Sequence, residues 1–223
     1  MSILFVLLTF LLVISITYFR RGTGNVAVQV KEPNAWARPA APRISKEQGF
    51  DIPKGYCFHP GHTWVLDEGR QNARIGIDSF ASSLIGKIER IEVVGLNRWV
   101  RQGQKLMSIT TEGLTVDLLS PIEGVITSVN HEAIKNPELT TKDPYRDGWI
   151  CVVKSPELST NLKNLVTGTL VAPWMQNSLG HVRSLAQTLA PALAQDGGMP
   201  VSGLLAQLDP GSQRKLIHEF FLT

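Results

Sequence analysis

The segment Cys57-Phe58-His59-Pro60-Gly61-His62 sets one thiol and two imidazoles within six residues, and a second thiol, Cys151, stands far down the chain. Thiolate and imidazole are zinc ligands, so the cluster is a candidate metal site, but no fourth ligand accompanies it. Pro60-Gly61 marks a turn, whereas a helix would be needed to present both histidines on one face. We therefore read Cys57 and Cys151 as small buried side chains and assign no metal. A thiol or metal redox module built on Cys57, Cys151 and the nearby histidines is the alternative. Other catalytic signatures are missing: there is no nucleophile elbow, no phosphate-cradling glycine loop and no paired acids. The chain is expected to be non-enzymatic, with no catalytic residue and no cofactor.

Whatever chemistry remains must be positioned by a chain of 223 residues, 43% of them hydrophobic, with a formal net charge of +3. That supports a folded domain with flanking segments, and argues against a nucleic-acid binder, because Lys and Arg form no stripe interleaved with aromatic residues. Thirteen of the seventeen residues 3–19 are Leu, Ile, Val or Phe and none is charged. At about 1.5 Å per residue such a helix is slightly short of a hydrocarbon core of about 30 Å. Met1, Ser2 and the snorkelling arginines Arg20 and Arg21 cover the shortfall. A signal peptide would want a cationic start and small residues after the apolar run, which this chain lacks. Residues 1–21 are therefore expected to be a single-pass anchor in the cell membrane. The basic flank Arg20, Arg21, Lys31, Arg38, Arg43 and Lys46 lies C-terminal to it, which places the rest of the chain on the cytoplasmic side. Residues 22–55, with Pro33, Pro39 and Pro42 and no apolar period, read as a flexible linker.

From residue 56 the texture becomes short β-rich runs broken by turn signals. Strands are expected at 63–66 and 73–77 around a hairpin connection, then at 88–94, 105–111, 114–119, 125–130 and 149–154. Asp78 is placed to cap a short helix over 79–85, ended by Gly86. Many short strands with little helix indicate a barrel or sandwich. After Ser155 the period turns helical. Residues 156–165 read as one helix, and Met175, Leu179, Val182, Leu185, Leu189 and Leu193 form the stripe of another, with Pro173 near its first turn. Pro191 should bend or end it, and residues 195–198 form a break. Asp209-Pro210 then starts a last helix through Leu216, Ile217, Phe220 and Phe221.

The central hundred residues resemble the glycine cleavage H protein family. His62-Thr63-Trp64 resembles the family's opening His-x-Trp, and Ile75-Gly76-Ile77-Asp78-Ser79-Phe80-Ala81 its next strand and helix start. Leu84-Ile85-Gly86 matches the helix end, and Ser120-Pro121-Ile122-Glu123-Gly124 the turn after the lipoyl hairpin. Asn136-Pro137-Glu138-Leu139, Asp143-Pro144-Tyr145 and Gly148-Trp149 are similar to the late loop. The resemblance implies a mostly β fold: a lipoyl-domain-like hybrid barrel or sandwich over residues 56–165, here with an N-terminal transmembrane helix and a C-terminal α-helical extension over 166–223. It also implies that the strands carrying Cys57 and Cys151 are neighbours.

In that family a lipoylated lysine at a hairpin tip carries an aminomethyl group between a decarboxylase, an aminomethyltransferase and a dihydrolipoamide dehydrogenase. The resemblance puts this lysine seven residues before Ser120, where this chain has Gly113. Glycine has no amine to acylate, although Glu112-Gly113 is good turn chemistry. Lys105, Lys87 and Lys135 are the nearby substitutes, and each reads as a solvated surface charge. The resulting expectation is a membrane-anchored scaffold or adaptor that meets a protein partner through its barrel surface or its C-terminal helices. The alternatives are a working aminomethyl or lipoyl carrier of the glycine cleavage system, and the redox module above.

Overall fold

The computed structural model describes residues 41–47, 49–189 and 203–223, all within one unit spanning Pro39–Thr223. The expected anchor over 1–21, linker residues 22–40, Pro191, Leu193 and the break at 195–198 lie outside the described residues. Among the described residues no helix is long and apolar enough to cross a membrane.

The first element departs from the sequence reading. β1 (Ile44–Glu47) and β2 (Phe50–Pro53) form an antiparallel hairpin inside the span assigned to linker. The cause is a two-residue alternation too short to stand out: Phe50 and Ile52 turn inward and are buried. Phe50 meets Phe80 edge-on at 5.7 Å between ring centroids. The Ser79 hydroxyl accepts from the Asp51 amide at 3.2 Å, and the Tyr145 hydroxyl donates to the Asp51 carbonyl at 2.8 Å. Residues 44–47 and 50–53 are therefore paired strand, where the sequence reading places linker.

β3 (Cys57–Phe58), β4 (Thr63–Gly69) and β5 (Asn72–Ile77) follow, with Arg70 and Gln71 both at positive φ in the connecting turn. Helix α1 (Ser79–Ile85) has the caps the sequence indicates: the Asp78 carboxylate accepts from the Ala81 amide, and Gly86 ends it at φ +83°. β6 (Arg90–Val93), the two-residue β7 (Trp99–Val100), β8 (Lys105–Thr111), β9 (Leu114–Leu119) and β10 (Gly124–Val129) come next. Two short helices, α2 (His131–Lys135) and α3 (Leu139–Lys142), lead into β11 (Cys151–Lys154). The strands form a hairpin β1-β2, a six-stranded sheet in the order β3-β4-β5-β11-β10-β7, and a three-stranded sheet β6-β8-β9. The inner faces share one apolar core around Phe58, Trp64, Ile75, Leu106, Met107 and Ile126. This is the mostly β, lipoyl-domain-like architecture expected.

Helices α4 (Leu158–Leu162), α5 (Val171–Leu189), α6 (Leu204–Gln207) and α7 (Pro210–Phe221) close the chain. The stripe Met175, Leu179, Val182 and Leu185 is buried in the same core as the strands. Asp209 caps α7 through the amides of Gly211 and Ser212, and Leu216, Phe220 and Phe221 are buried. His181 Nε2 and Glu219 Oε1, 2.8 Å apart, join α5 to α7. Among the described residues, the apolar side of α5 and of α7 is thus used within the domain.

Candidate functional site

β8 and β9 pair from Lys105↔Leu119 to Thr111↔Leu114, so that Glu112 and Gly113 make a two-residue turn. Ile109 and Val116 face the core from the middle of the hairpin and hold its base. Thr111 Oγ1 donates to the Lys87 carbonyl at 2.6 Å, and the Glu89 amide donates to the Thr110 carbonyl at 2.9 Å. Glu112 at φ +43° and Gly113 at φ +80° give the double left-handed turn that suits the twist of paired strands. Both are exposed, and a Cβ built on Gly113 would meet no atom within 4 Å. The position that the resemblance assigns to the lipoyl lysine is therefore an open, protruding tip carrying glycine.

Beside the tip lies a recess of about 280 Å³ lined by Ile85, Gly86, Lys87, Glu112, Gly203, Ala206 and Gln207. One wall is the end of α1 and the other is α6, fastened by the Gly203 amide donating to the Ser83 carbonyl at 2.9 Å. Sequence reasoning missed this wall because nothing local in residues 203–207 points to a partner 120 residues earlier. Lys87 is exposed and sits at this recess, the nearest of the three substitute lysines to the tip by position. Lys105 is at the base of β8, where its Nζ lies 2.8 Å from Asp117 Oδ1. A rise of about 3.4 Å per residue puts it roughly 20 Å from the turn. Lys135 ends α2, away from the hairpin turn in sequence and in element.

The cysteine and histidine cluster resolves into packing. His62 is buried at φ +63°, its Nδ1 2.7 Å from Asp78 Oδ2, with its ring stacked on Phe80 at 4.3 Å and Trp174 at 4.8 Å. It links the β3–β4 connection, the cap of α1 and helix α5. His59 Nδ1 accepts from the Gly61 amide at 3.0 Å. Burial, and then the neighbouring His62, hold His59 down to about 4, so it is neutral at pH 7. Among the described residues no three His, Cys, Asp or Glu side chains are grouped to hold a metal ion.

The implied closeness of the two thiols is corrected by the register. Cys57 pairs with Val65, Val65 with Ile75, and Ile75 with Cys151, so the cysteines share a row but stand three strand spacings apart. At about 4.8 Å per step that is about 14 Å, well beyond disulfide reach. β4 and β5 fill the gap because both hairpin connections are tight. Burial raises the Cys57 thiol, helped by Asp67, and pushes Cys151 up to about 12. Neither is a ready thiolate.

The motif residues have physical jobs. The Trp64 indole lies across β5, donating to the Ile77 carbonyl at 2.9 Å, and a Cβ at Gly76 would come within 2.5 Å of its ring. His-x-Trp and Ile-Gly-Ile are therefore two halves of one contact. Tyr145, fully buried, places its hydroxyl 3.1 Å from the Ser79 amide, and its carbonyl accepts from the Tyr56 hydroxyl at 2.7 Å. A Cβ on Gly148 would meet the Leu139 carbonyl at 2.6 Å, which explains glycine before Trp149.

Sheet order, a protruding hairpin and these interlocked motifs define a barrel domain of the lipoyl-bearing architectural class. Comparison with known proteins narrows the class: the family described as glycine cleavage H-protein matches residues 56–178. A probable glycine cleavage system H protein 1, mitochondrial, from Dictyostelium discoideum is 37% identical over 111 residues, covering 48% of this chain and 76% of the relative. A glycine cleavage system H protein from Thermus thermophilus is 32% identical over 109 residues, covering 49% of this chain and 84% of the relative. A crystal structure of a glycine cleavage system H protein from Mycobacterium marinum aligns with a TM-score of 0.47 and 23% identity, over 57% of this chain and all of that one. This chain belongs to the glycine cleavage H-protein family.

Proposed function

We propose that this chain is a membrane-tethered member of the family that carries no lipoyl arm and acts as a non-catalytic adaptor. It would dock a lipoate-handling or redox enzyme at the cytoplasmic face. One observation carries the reading: at the turn where the resemblance places the acylated lysine, the chain has Gly113, open to solvent and without an amine. Lipoyl attachment is an amide to a primary amine, so this tip offers no point of attachment. The apolar run at residues 3–19 and the arginines after it support the tether. Family membership by itself leaves the role open, since a fold hosts several functions.

A second reading is favoured by the Lys87 position and by the carriers among the relatives. Here the chain remains an aminomethyl or lipoyl carrier, bearing its group on Lys87 at the recess beside the tip. Intact-mass measurement on protein purified from its native host, followed by peptide mapping, separates the two. The adaptor predicts an unmodified chain. A lipoyl-sized increment mapped to Lys87, or to any other lysine here, rejects it. Glycine–bicarbonate exchange with a cognate decarboxylase gives the functional check, and the adaptor supports no exchange.

A further inference from the structure

The outer face of the six-stranded sheet carries a patch that neither the hairpin tip nor the core explains. Paired residues on neighbouring strands share a face, and the register runs Trp99↔Val125 and Val125↔Lys154. Their neighbours along the strands, Val100, Ile126 and Val153, are buried and point inward. Trp99, Val125 and Lys154 therefore line the outside, with Trp99 49% exposed on the sheet's edge strand. Leu96, 48% exposed, stands just before it, and Arg98 and Arg101 flank it in solvent. The stretch is held firmly: the Asn97 amide donates to the Ile126 carbonyl at 2.8 Å, and the Ile126 amide to the Arg98 carbonyl at 3.0 Å. Glu123, half-buried at the margin of the row, offsets one of the three positive charges.

We infer that this patch seats on the headgroup region of an anionic bilayer, fixing how the domain faces the membrane. An exposed indole and leucine, with exposed Arg98 and Arg101 next to them along the chain and Lys154 in the same cross-strand row, match that interface on both counts: apolar insertion at headgroup depth, and cationic attraction to acidic lipid. An acidic protein surface would match the charge, and it is the outcome that the experiment below sets against the bilayer. The orienting role rests on the proposed tether, and the two are tested separately. Each net positive charge near an anionic surface is worth about fivefold in partitioning, so the three cations less the one that Glu123 offsets supply about thirtyfold.

The experiment uses the full chain in nanodiscs containing brominated phosphatidylcholine, with or without phosphatidylglycerol. Tryptophan quenching is compared between the wild type and Trp99→Phe, and retention on the discs is followed at low and high salt. The expected result is a Trp99-dependent quenching that needs phosphatidylglycerol and disappears in Arg98→Glu/Arg101→Glu/Lys154→Glu, while near-UV dichroism stays unchanged. Equal quenching in wild type and Trp99→Phe, with the chain still on the discs, overturns the inference and leaves the patch to a protein partner. Release from the discs at high salt, with Trp99-dependent quenching at low salt, sinks the tether and upholds the patch.

Discussion

Placing a lysine at the tip, Gly113→Lys, separates what the turn demands from what the arm demands. Gly113 sits at φ +80°, where an L-residue pays about 1–2 kcal/mol for its Cβ. Replacing glycine also stiffens the unfolded chain, which returns about 0.4–1 kcal/mol. The side chain itself enters open space, because a Cβ there meets nothing within 4 Å. The net expectation is a loss of about 0–1.6 kcal/mol, equal within error for Gly113→Lys and Gly113→Ala, since only the backbone is strained. Urea unfolding at constant m-value measures both. Treatment with lipoate ligase and lipoate should then acylate the lysine variant at residue 113 and leave the wild type untouched. A much larger cost for lysine than for alanine would show that the tip is packed and refute the open turn. Acylation of the wild type would refute the missing handle.

Gly76→Ala forces a methyl against the Trp64 ring, with Cβ contacts of 2.5–2.9 Å, and should destabilise by roughly 3 kcal/mol or more with loss of the near-UV tryptophan signal. Leu179→Ala, in a fully buried site on α5, should cost about 2–5 kcal/mol in the same single unfolding transition as the strands; a separate, lower transition would mean that the helix does not share the core. His59 is neutral when folded down to about pH 4 but takes a proton near 6.5 when unfolded, so its contribution is constant above 6.5 and stability falls as pH drops from 6.5 towards 4. His59→Gln should flatten that part of the stability–pH curve. Mild oxidants should not bridge Cys57 to Cys151 in the native state, as non-reducing peptide maps will check, because the intervening β4 and β5 hold them apart.

Much of the strand order was readable because each strand is bounded by a turn with its own chemistry. Asp78 and Gly86 bracket α1, Glu112-Gly113 closes the lipoyl-type hairpin, and Asp209-Pro210 opens α7, all by local capping or positive φ. What escaped was set by partners distant in sequence. The β1-β2 hairpin owes its order to Phe80, Ser79 and Tyr145, none of which residues 44–53 announce. β7 is two residues long, too short for any period to show, and its existence depends on β10 beside it. The separation of the cysteines depends on sheet order, which spacing along the chain does not encode. The recess at the tip likewise needs α6 to fold back onto α1.

These two kinds of position bear on what family membership means here. Trp64 with Gly76, His62 with Asp78, and Tyr145 with Ser79 are each held by a buried contact whose loss would cost the fold about 1–3 kcal/mol or more. They match the family pattern because packing enforces them, whatever the domain does. The tip is under no such pressure: a side chain at residue 113 would meet no atom within 4 Å, and a glycine is the easier residue in a left-handed turn. Packing of this kind would persist whether or not an amine stood at the exposed turn, so the two kinds of position carry separate information. Resemblance through the core reports on stability, and only the occupant of residue 113 or a lysine beside it reports on carriage. The modification state of the native protein is for that reason a stronger arbiter of function than any further similarity in its barrel.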